Sequence, residues 1–264
     1  MMWLNHQITQ DFHRQYSITE KLLDVRSEHM LEIFKSKEFG QIAMFDEREI
    51  LIERFLSVRS ELLAHVGACC LRLEEPSLCA LLLGGFNLEI AHELFKHEMI
   101  VDYVQSDEKV LDSLISFFPH FQAVREHAGF THYAKAIDLP LRKYNLIIHQ
   151  GSPNAHELDG ISRMLAPGGV LIFTLPSPYL QEAACLESLQ HASAHFSILM
   201  PFFTPFFGDE CYVFASHGTH PLADLWLQRA DLLDDLEFYN ADVHEAAFAL
   251  PTKLATQLRA WVKS

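Results

Sequence analysis

The 264-residue sequence lacks the features of exported, membrane-spanning and nucleic-acid-binding proteins. Its first segment, "MMWLNHQITQ", has neither the basic start nor the unbroken apolar stretch of a signal peptide. No apolar run approaches the roughly 18 residues that a transmembrane helix needs. Lys and Arg number 20 against 35 Asp and Glu, giving a net charge of -15, so cationic side chains for binding phosphate are scarce. We therefore predict a cytoplasmic protein that binds neither nucleic acid nor membranes and favours small cationic ligands.

Disulfide frameworks and metal-binding motifs are also missing. The five cysteines form no C-x-x-C pair and no zinc-like spacing, and their number is odd, so we expect reduced and mostly buried thiols. In "HASAH", His191 and His195 stand four residues apart, as two metal ligands on one helix face do. Because no third ligand is evident, we interpret this pair as a solvated helix face and predict no metal site.

The first 54 residues alternate between apolar and polar positions in short runs. "YSITEKLLDV", "LEIFKSKEFGQIAMF" and "REILIE", with a turn at "SKEFG", predict a small antiparallel β domain of hairpins over residues 1–54. The period then changes to a helical one in "RFLSVRSELLAHVGACCL", and "RLEEPS" ends that helix. We place a domain boundary at this change, so that residues 55–264 form the second domain.

The second domain alternates between strand and helix patterns, which predicts a parallel sheet with helices on both faces. Expected strands cover 79–84, 100–105, a segment near 130, 144–149 and 169–175, and expected helices cover 88–97, 108–118, 157–166 and 178–194. "HFSILMPFF" and "ECYVFASH" add two strands joined by a short loop, the last of them antiparallel. We predict an α/β, Rossmann-like, mostly parallel seven-stranded sheet, the fold of class I S-adenosylmethionine-dependent transferases. The Pro-Gly-Gly segment in "MLAPGGVLIF" resembles a turn that recurs in that superfamily ahead of the fifth strand, and this resemblance supports the predicted fold.

A glycine turn after the first of these strands suggests a nucleoside site. Gly84 and Gly85 allow positive φ and a close approach of the backbone, and Asn87 is suited to cap the next helix. About twenty residues later, Gln105 or Asp107 occupies the position that contacts ribose hydroxyls in such folds. The alternatives are a plain strand-to-helix turn at the glycines and a helix cap in "QSDEK".

Two long motifs resemble those of the spermidine synthases, the polyamine aminopropyltransferases. They are "LEFYNADVHEAAFALP" near the C-terminus and "LEIFKSKEFGQIAMFD" near the start. The resemblance covers nearly the whole chain. It implies transfer of an aminopropyl group from decarboxylated S-adenosylmethionine, as co-substrate, to putrescine, which gives spermidine and methylthioadenosine. It also implies no permanently bound cofactor, and a homodimer formed through the N-terminal sheet.

Several positions depart from the family pattern, so the resemblance implies a divergent member. The family's Gly-Gly-Gly-Asp-Gly-Gly turn continues here from Gly85 as Phe86 and Asn87, and its ribose-binding glutamate is Gln105, with Asp107 retained. In place of the family's Asp-Ser-Ser-Asp, whose first aspartate accepts the amine's proton, the chain has Gln150, Gly151, Ser152 and Pro153. The Tyr-His-Glu triplet reads Arg59, Ser60, Glu61, and Phe206 and Phe207 alter the region near Pro205.

These departures leave the catalytic groups open. We predict Glu61, Gln150 and Asp159 as catalytic residues, and His149, Glu157 and Tyr239 as residues that bind the amine. Each has a structural alternative. In these alternatives His149 caps its strand, Glu157 and Asp159 form the acidic first turn of a helix, and Tyr239 packs against the sheet.

Putrescine is expected between Glu61 and the loop at 150–159, in a negatively charged pocket. The alternatives to a spermidine synthase are a class I methyltransferase that uses intact S-adenosylmethionine and a non-catalytic protein that binds polyamine or nucleoside.

Overall fold

The N-terminal part of the chain forms two antiparallel sheets. The computed structural model describes residues 2–72, 77–204 and 210–263. Strands β1 (Met2–Thr9) and β2 (Phe12–Ile18) form a two-stranded ribbon. The next four form a second sheet in sequence order: β3 (Glu20–Arg26), β4 (Met30–Ser36), β5 (Gly40–Phe45) and β6 (Glu49–Ile52). The expected hairpins are present, and "SKEFG" connects β4 to β5.

The rest of the chain contributes a seven-stranded sheet. Its strands are β7 (Cys79–Leu83), β8 (Ile100–Val104), β9 (Phe130–Tyr133), β10 (Tyr144–His149), β11 (Leu165–Leu175), β12 (Ile198–Phe203) and β13 (Cys211–Ser216). The order across the sheet is β12-β13-β11-β10-β7-β8-β9. β13 is antiparallel to both of its neighbours, β11 and β12, and the other neighbouring strands of this sheet pair in parallel. The predicted Rossmann-like sheet, with its last strand antiparallel, is confirmed.

Helices follow most strands, as the alternation predicted. They are α1 (Leu56–Ala68), α2 (Glu89–Phe95), α3 (Glu108–Leu114), α4 (Phe121–Glu126), α5 (Ala155–Met164), α6 (Glu182–Ser193), α7 (Leu227–Asp231), α8 (Ala241–Ala247) and α9 (Thr252–Leu258). None of them, in the ranges given above, is long and apolar enough to cross a membrane. The expected break in "RLEEPS" and the departures near Pro205 fall mainly on 73–76 and 205–209, outside the described residues.

The Pro-Gly-Gly segment differs from its expected position. It lies inside β11 rather than ahead of it, and there the partner of β10 moves from Leu165 to Val170. Gly168 has φ +72, a conformation that favours glycine. The segment is therefore a bulge, which bends the strand without ending it.

Alternate residues of the central strands enter two separate cores. Leu146 and Ile148 pack with α1, whereas Leu81 and Ile147 pack in a second cluster that includes residues of α5 and α6. Strands covered on both faces explain the unbroken apolar runs in the sequence. The four-stranded sheet shares the first core through residues such as Phe45. The N-terminal sheet is thereby held over the same side of the large sheet as α1.

A chain of polar groups is buried beside α1. Arg229 Nε donates to His97 Nδ1 (3.1 Å), whose ring is 2.9 Å from His65 Nδ1, and His65 Nε2 lies 3.0 Å from Glu93. A single set of neutral tautomers satisfies every link, because each histidine receives on Nδ1 and donates from Nε2. Burial lowers the pKa of His97 to about 2 and also lowers that of His65. The network ties α1 to α2 and α7 with uncharged imidazoles.

Candidate active site

A cavity of about 370 Å³ lies at the carboxyl ends of the parallel strands. One side is lined by the glycine turn after β7, the loop after β10 and the end of β11, and the other by β5, β6, α1 and the start of β13. Small-molecule sites occupy about 300–1,000 Å³, and doubly wound sheets bind ligands at this edge. The cavity is therefore the candidate active site.

The two glycines of the turn have different environments. Gly84 has φ +64 and Gly85 has φ +61, so both need the left-handed conformation that was expected of them. A Cβ on Gly85 would lie 2.5 Å from the Cβ of Gln150, whereas a Cβ on Gly84 would meet nothing within 4 Å. Gly85 thus allows Gln150 to approach, and Gly84 leaves backbone open to a ligand.

Gln105 and Asp107 use their polar atoms inside the protein. Gln105 Nε2 donates to the carbonyl oxygen of Gly85 (2.9 Å), and its Oε1 accepts from Asp107 N (3.0 Å). The Asp107 carboxylate caps α3 through Val110 N (3.2 Å) and accepts from His29 N (2.8 Å). Both residues are buried and neither lines the cavity. The helix cap that competed with ribose binding is present.

Phe86 connects the turn to the N-terminal sheet. Its ring stacks on Phe45 with centroids 4.6 Å apart and planes 11° apart, and it meets the edge of His29 at 5.3 Å. Phe86 stands where the resemblance places a glycine. The added ring fills space beside the turn and lines the cavity.

Three departures from the family pattern contact one another. Asn87 Nδ2 donates to Ser60 Oγ (2.9 Å), and Asn87 N donates to Gln150 Oε1 (3.0 Å). Asn87 Oδ1 accepts from the N–H of Glu89 (3.1 Å), but the N-cap of α2 is Leu88 and has no side-chain cap bond, so Asn87 is not the helix cap that was predicted. The amide in the aspartate position, the serine in the histidine position and the glutamine of the loop after β10 form one network.

Gln150 faces the cavity as a hydrogen-bond donor. Gln150 lines the cavity, its Oε1 accepts from a backbone N–H, and its Nε2 is buried with no partner in the protein. Ser177 Oγ, at the same cavity, is also buried and unpartnered. An amide donor does not accept a proton, so Gln150 is suited to bind a ligand and not to act as a base.

Charged residues of both signs line the cavity. Arg59 forms an ion pair with Glu210, which also accepts from Tyr212 Oη (3.1 Å). Burial raises the pKa of the Glu210 carboxyl, but Arg59 outweighs this effect and holds the pKa below its ordinary value. Desolvation raises the pKa of Glu49, and the opposing charge of Arg59 does not cancel it. Glu49 is therefore the more basic of the two carboxylates.

The expected negative charge of the pocket is not found. Arg48 and Arg59 line it together with Glu49 and Glu210, so its formal charges balance. The net negative charge of the whole chain is not concentrated at the cavity, because two arginines lie there, Arg48 in the turn before β6 and Arg59 in α1.

The structure does not bring Glu61 or Tyr239 to the cavity. Both oxygens of the buried Glu61 carboxylate accept backbone N–H groups, from residues 237, 238 and 239, at 2.7–2.9 Å. Tyr239 is buried in the core, and its hydroxyl lies 2.8 Å from His244 Nδ1. His244 Nε2 donates to the carbonyl oxygen of Pro221 (2.9 Å), so Nδ1 accepts from the tyrosine. The C-terminal motif is thus held by packing.

Of the residues predicted at the end of β10 and in the segment after it, Gln150 lines the cavity and the other three do not. Glu157 forms a capping box with Asn154 at the start of α5, and Asp159 pairs with Arg163 at 2.6 Å on the surface. His149 Nδ1 accepts from Gly151 N (3.1 Å), and burial lowers the pKa of its ring. None of the three lines the cavity. α5 begins at Ala155, and its first turn carries the acids away from the site.

Glu49 and Glu210 are the acids of the cavity that sequence reasoning missed. One signal was available for Glu210. It directly precedes the antiparallel strand β13, and the first residue of an antiparallel strand lies at the edge where parallel strands end. Glu49 reaches the cavity through docking of the N-terminal sheet, which the sequence pattern does not reveal.

Comparisons with known proteins agree with this geometry. Residues 56–226 match the family model described as "Spermine/spermidine synthase domain", and residues 2–50 match "Spermidine synthase tetramerisation domain". The polyamine aminopropyltransferase of Helicobacter pylori is 45% identical over 267 residues, which cover 100% of both chains.

Two solved structures share the fold. The spermidine synthase from Thermotoga maritima has a TM-score of 0.89 at 19% identity, covering 98% of this chain and 94% of that one. A spermidine synthase in complex with the transition-state analogue AdoDATO has a TM-score of 0.89 at 18% identity, covering 98% and 95%. With its full-length relatives and both matching family models, the chain belongs to the spermine/spermidine synthase family of aminopropyltransferases.

Proposed function

We propose that this protein transfers the aminopropyl group of decarboxylated S-adenosylmethionine to putrescine within the cavity described above. The observation that carries the proposal is the cavity itself, which is lined by Gly85 of the glycine turn, by Gln150 and Ser177 with one unpartnered polar atom each, and by the Glu49 carboxylate. The full-length relatives named polyamine aminopropyltransferase support the reaction class. Decarboxylated S-adenosylmethionine is a co-substrate and leaves as methylthioadenosine.

The donor is proposed to lie along the glycine turn. Gly84 leaves backbone uncovered there, and Gln150 Nε2 and Ser177 Oγ offer hydrogen-bonding atoms without partners in the protein. Gln105 and Asp107 would act behind this surface by fixing the Gly85 carbonyl and the start of α3. They shape the turn, and ribose contact would require Gln105 to release that carbonyl.

Glu49 is the proposed proton acceptor in place of the missing aspartate. The amine nitrogen attacks the methylene next to the sulfonium, the carbon–sulfur bond breaks, and its electron pair stays on sulfur as a neutral thioether. The amine's proton passes to the carboxylate. Glu49 pairs in register with Phe45, whose ring stacks on Phe86 beside the glycine turn. Paired residues project to the same face of a sheet, which brings the carboxylate toward the donor.

Product formation separates this proposal from its alternatives. Purified protein is incubated with decarboxylated or intact S-adenosylmethionine, with and without putrescine. Methylthioadenosine, which aminopropyl transfer releases, and S-adenosylhomocysteine, which methyl transfer from the intact donor releases, are both measured. We expect methylthioadenosine to be released only when both the decarboxylated donor and the diamine are present. Turnover with the intact donor would indicate a methyltransferase, and saturable ligand binding without turnover would indicate a non-catalytic protein; either result contradicts the proposal.

Glu49→Gln tests the proton acceptor. We expect kcat to fall at least about 100-fold, because general-base assistance contributes about 10²–10⁴-fold. The matched control is Glu47→Gln in the same hairpin, because both glutamates are exposed and only Glu49 lines the cavity. If Glu49→Gln keeps the turnover of the control, the carboxylate is not the proton acceptor.

Association through the N-terminal ribbon is the second part of the proposal. Trp3 is 54% exposed and Met2 50% exposed on β1, an unusual amount of apolar surface for one ribbon. The predicted homodimer would cover it, and the matched domain is described as a tetramerisation domain. Light scattering should give a mass at least twice 30.2 kDa. Trp3→Glu should lower that mass, whereas Leu141→Glu, at an exposed residue outside the ribbon, should not.

A further inference from the structure

Two histidines and a glutamate converge on one side of α2. Glu89 and His92 lie on α2, and His120 immediately precedes α4. Their ligand atoms all lie within 4.8 Å of one another. The rings of His92 and His120 stack with centroids 3.9 Å apart, and His120 Nδ1 is hydrogen-bonded to Glu89 Oε1. Over the described residues, no other group of three metal-ligating side chains comes together in this way.

The carboxylate of Glu89 is buried with an unused oxygen. Glu89 is 5% exposed, and its Oε2 has no hydrogen-bond partner in the protein. A buried carboxylate oxygen without a partner is costly, and native structures pair almost all such atoms. A cation bound between this carboxylate and the two imidazoles would remove that cost.

We propose that Glu89, His92 and His120 bind a divalent transition-metal ion of the zinc class, with a fourth position open to water. Two imidazoles and one carboxylate are a donor set that Zn²⁺ accepts in three-ligand sites. Bonds of about 2.1 Å in a tetrahedron place ligand atoms about 3.4 Å apart. The hydrogen-bonded His120 and Glu89 atoms must therefore move apart, and one of the two stacked rings must turn so that both point a nitrogen at the ion. The His120 side chain is 45% exposed and lies outside the helices, so its ring has room to turn.

The charges around the cluster suit a dication. Glu89 supplies the carboxylate of the cluster, and His92 and His120 supply two imidazoles, which bind metal ions in their neutral form. The nearby Lys96 ammonium is held 2.8 Å from Glu93 instead of facing Glu89. Metal binding would replace the proton that now joins His120 to Glu89.

The site is separate from the candidate active site. None of its three residues lines the cavity, although the Glu89 N–H is bonded to Asn87 Oδ1 in the turn that does. The ion would join α2 to the start of α4. Sequence spacing did not predict this metal site, because its ligands come from segments about thirty residues apart. The histidine pair with metal-like spacing in the sequence is at 191 and 195.

Zinc titration of the intact chain tests the inference. Tag-free protein is stripped with a chelator, and Zn²⁺ is titrated in competition with a chromophoric chelator. One ion per chain is expected to bind. His120→Ala and Glu89→Gln should each weaken binding at least about 100-fold, since loss of a direct ligand exceeds the 10–100-fold effect of an outer partner. Co²⁺ should give intense visible bands typical of a four-coordinate site, and His120→Ala should abolish them.

The control is the other histidine pair. His191→Ala with His195→Ala removes two histidines from the region of α6 and should leave Zn²⁺ affinity unchanged. Circular dichroism confirms that each variant is folded. Because His120 is partly exposed, His120→Ala is the variant that should disturb the fold least. Absence of stoichiometric Zn²⁺ binding, or equal affinity in His120→Ala and the control, would overturn the proposal.

Discussion

At the scale of single residues, Glu61 is distinguished by the backbone N–H groups that its carboxylate binds. Three consecutive backbone N–H groups at 237–239 point at it from the segment that begins the C-terminal motif. Hydrogen bonds to a charged acceptor are about twice as strong as neutral ones. A carboxylate occupied in this way positions a segment and has no oxygen left for an amine.

Glu61→Gln should therefore reduce stability and spare the chemistry. The amide keeps one acceptor oxygen and turns an NH₂ group toward N–H donors, so the free energy of unfolding should fall by about 2–4 kcal/mol. Urea denaturation measures this loss, and kcat of the folded variant should stay within about twofold of the parent. A large loss of kcat with unchanged stability would restore Glu61 as a catalytic residue.

Asp159→Asn is the matched comparison for Glu61→Gln. Its partner Arg163 is 69% exposed at the side chain and the aspartate 44%, so the pair contributes at most about 1 kcal/mol. Both turnover and stability should remain near those of the parent protein. Substantial loss of turnover would contradict its placement on the surface of α5.

At the scale of secondary-structure elements, docking of the β3–β4 hairpin on α3 determines how the N-terminal sheet meets the site. Asp107 joins the two by capping α3 and accepting the N–H of His29. Ser106 and Lys109 add bonds to Glu28 and to the Arg26 carbonyl. The hairpin thus lies against the helix whose start was predicted to bind ribose.

Asp107→Asn should loosen this docking. The asparagine oxygen still caps α3, but its NH₂ group opposes the His29 N–H, so we expect a loss of about 1–3 kcal/mol. Trypsin should cut faster after Arg26. Asp112→Asn, on the exposed side of α3, is the control and should leave the cutting rate unchanged. Equal rates in the two variants would show that Asp107 does not hold the hairpin.

The sequence predicted elements better than side-chain positions. Period-2 and helical patterns report burial of each segment, so β10 was placed at 144–149 without error and β13 was identified as antiparallel. The acids after β10 were assigned to the site by their nearness in sequence. Asn154 caps α5 and turns them outward, while Glu49 arrives from a hairpin about a hundred residues earlier. Such tertiary docking leaves no periodic signal.

At the scale of the whole molecule, buried neutral histidines make stability depend on pH. Burial lowers the pKa of His97 to about 2 and that of His244 to about 4, against about 6.5 in an unfolded chain. The unfolded state therefore binds more protons below pH 6.5, and stability falls as pH decreases. Each such histidine contributes a slope of about 1.4 kcal/mol per pH unit, for His244 between about 6.5 and 4.

His244→Gln should flatten this dependence. The free energy of unfolding is measured by urea denaturation at pH 7 and pH 5 for the parent, this variant and the surface control His156→Gln. The difference between the two pH values should shrink by about 1–2 kcal/mol in His244→Gln alone. An equal pH dependence in all three proteins would mean that His244 is not neutral in the folded state.

The domain boundary after residue 54 remains our proposal for the division of the chain. The segment before it supplies Phe45 and Glu49 to the cavity, and the segment after it supplies the glycine turn and Glu210. The two segments also share a hydrophobic core. We therefore expect the two parts to unfold together.

The antiparallel strand has a consequence for synthesis. β12 pairs with β13 alone within the large sheet, and β13 lies between β12 and β11. Until residue 216 has left the ribosome, β12 has no neighbour and the edge of β11 stays open. Exposed strand edges are sites of aggregation during folding. A nascent chain that pauses before residue 216 has emerged exposes unpaired backbone N–H and C=O groups at the edge of β11. We expect chaperone binding to be greatest at that stage of synthesis.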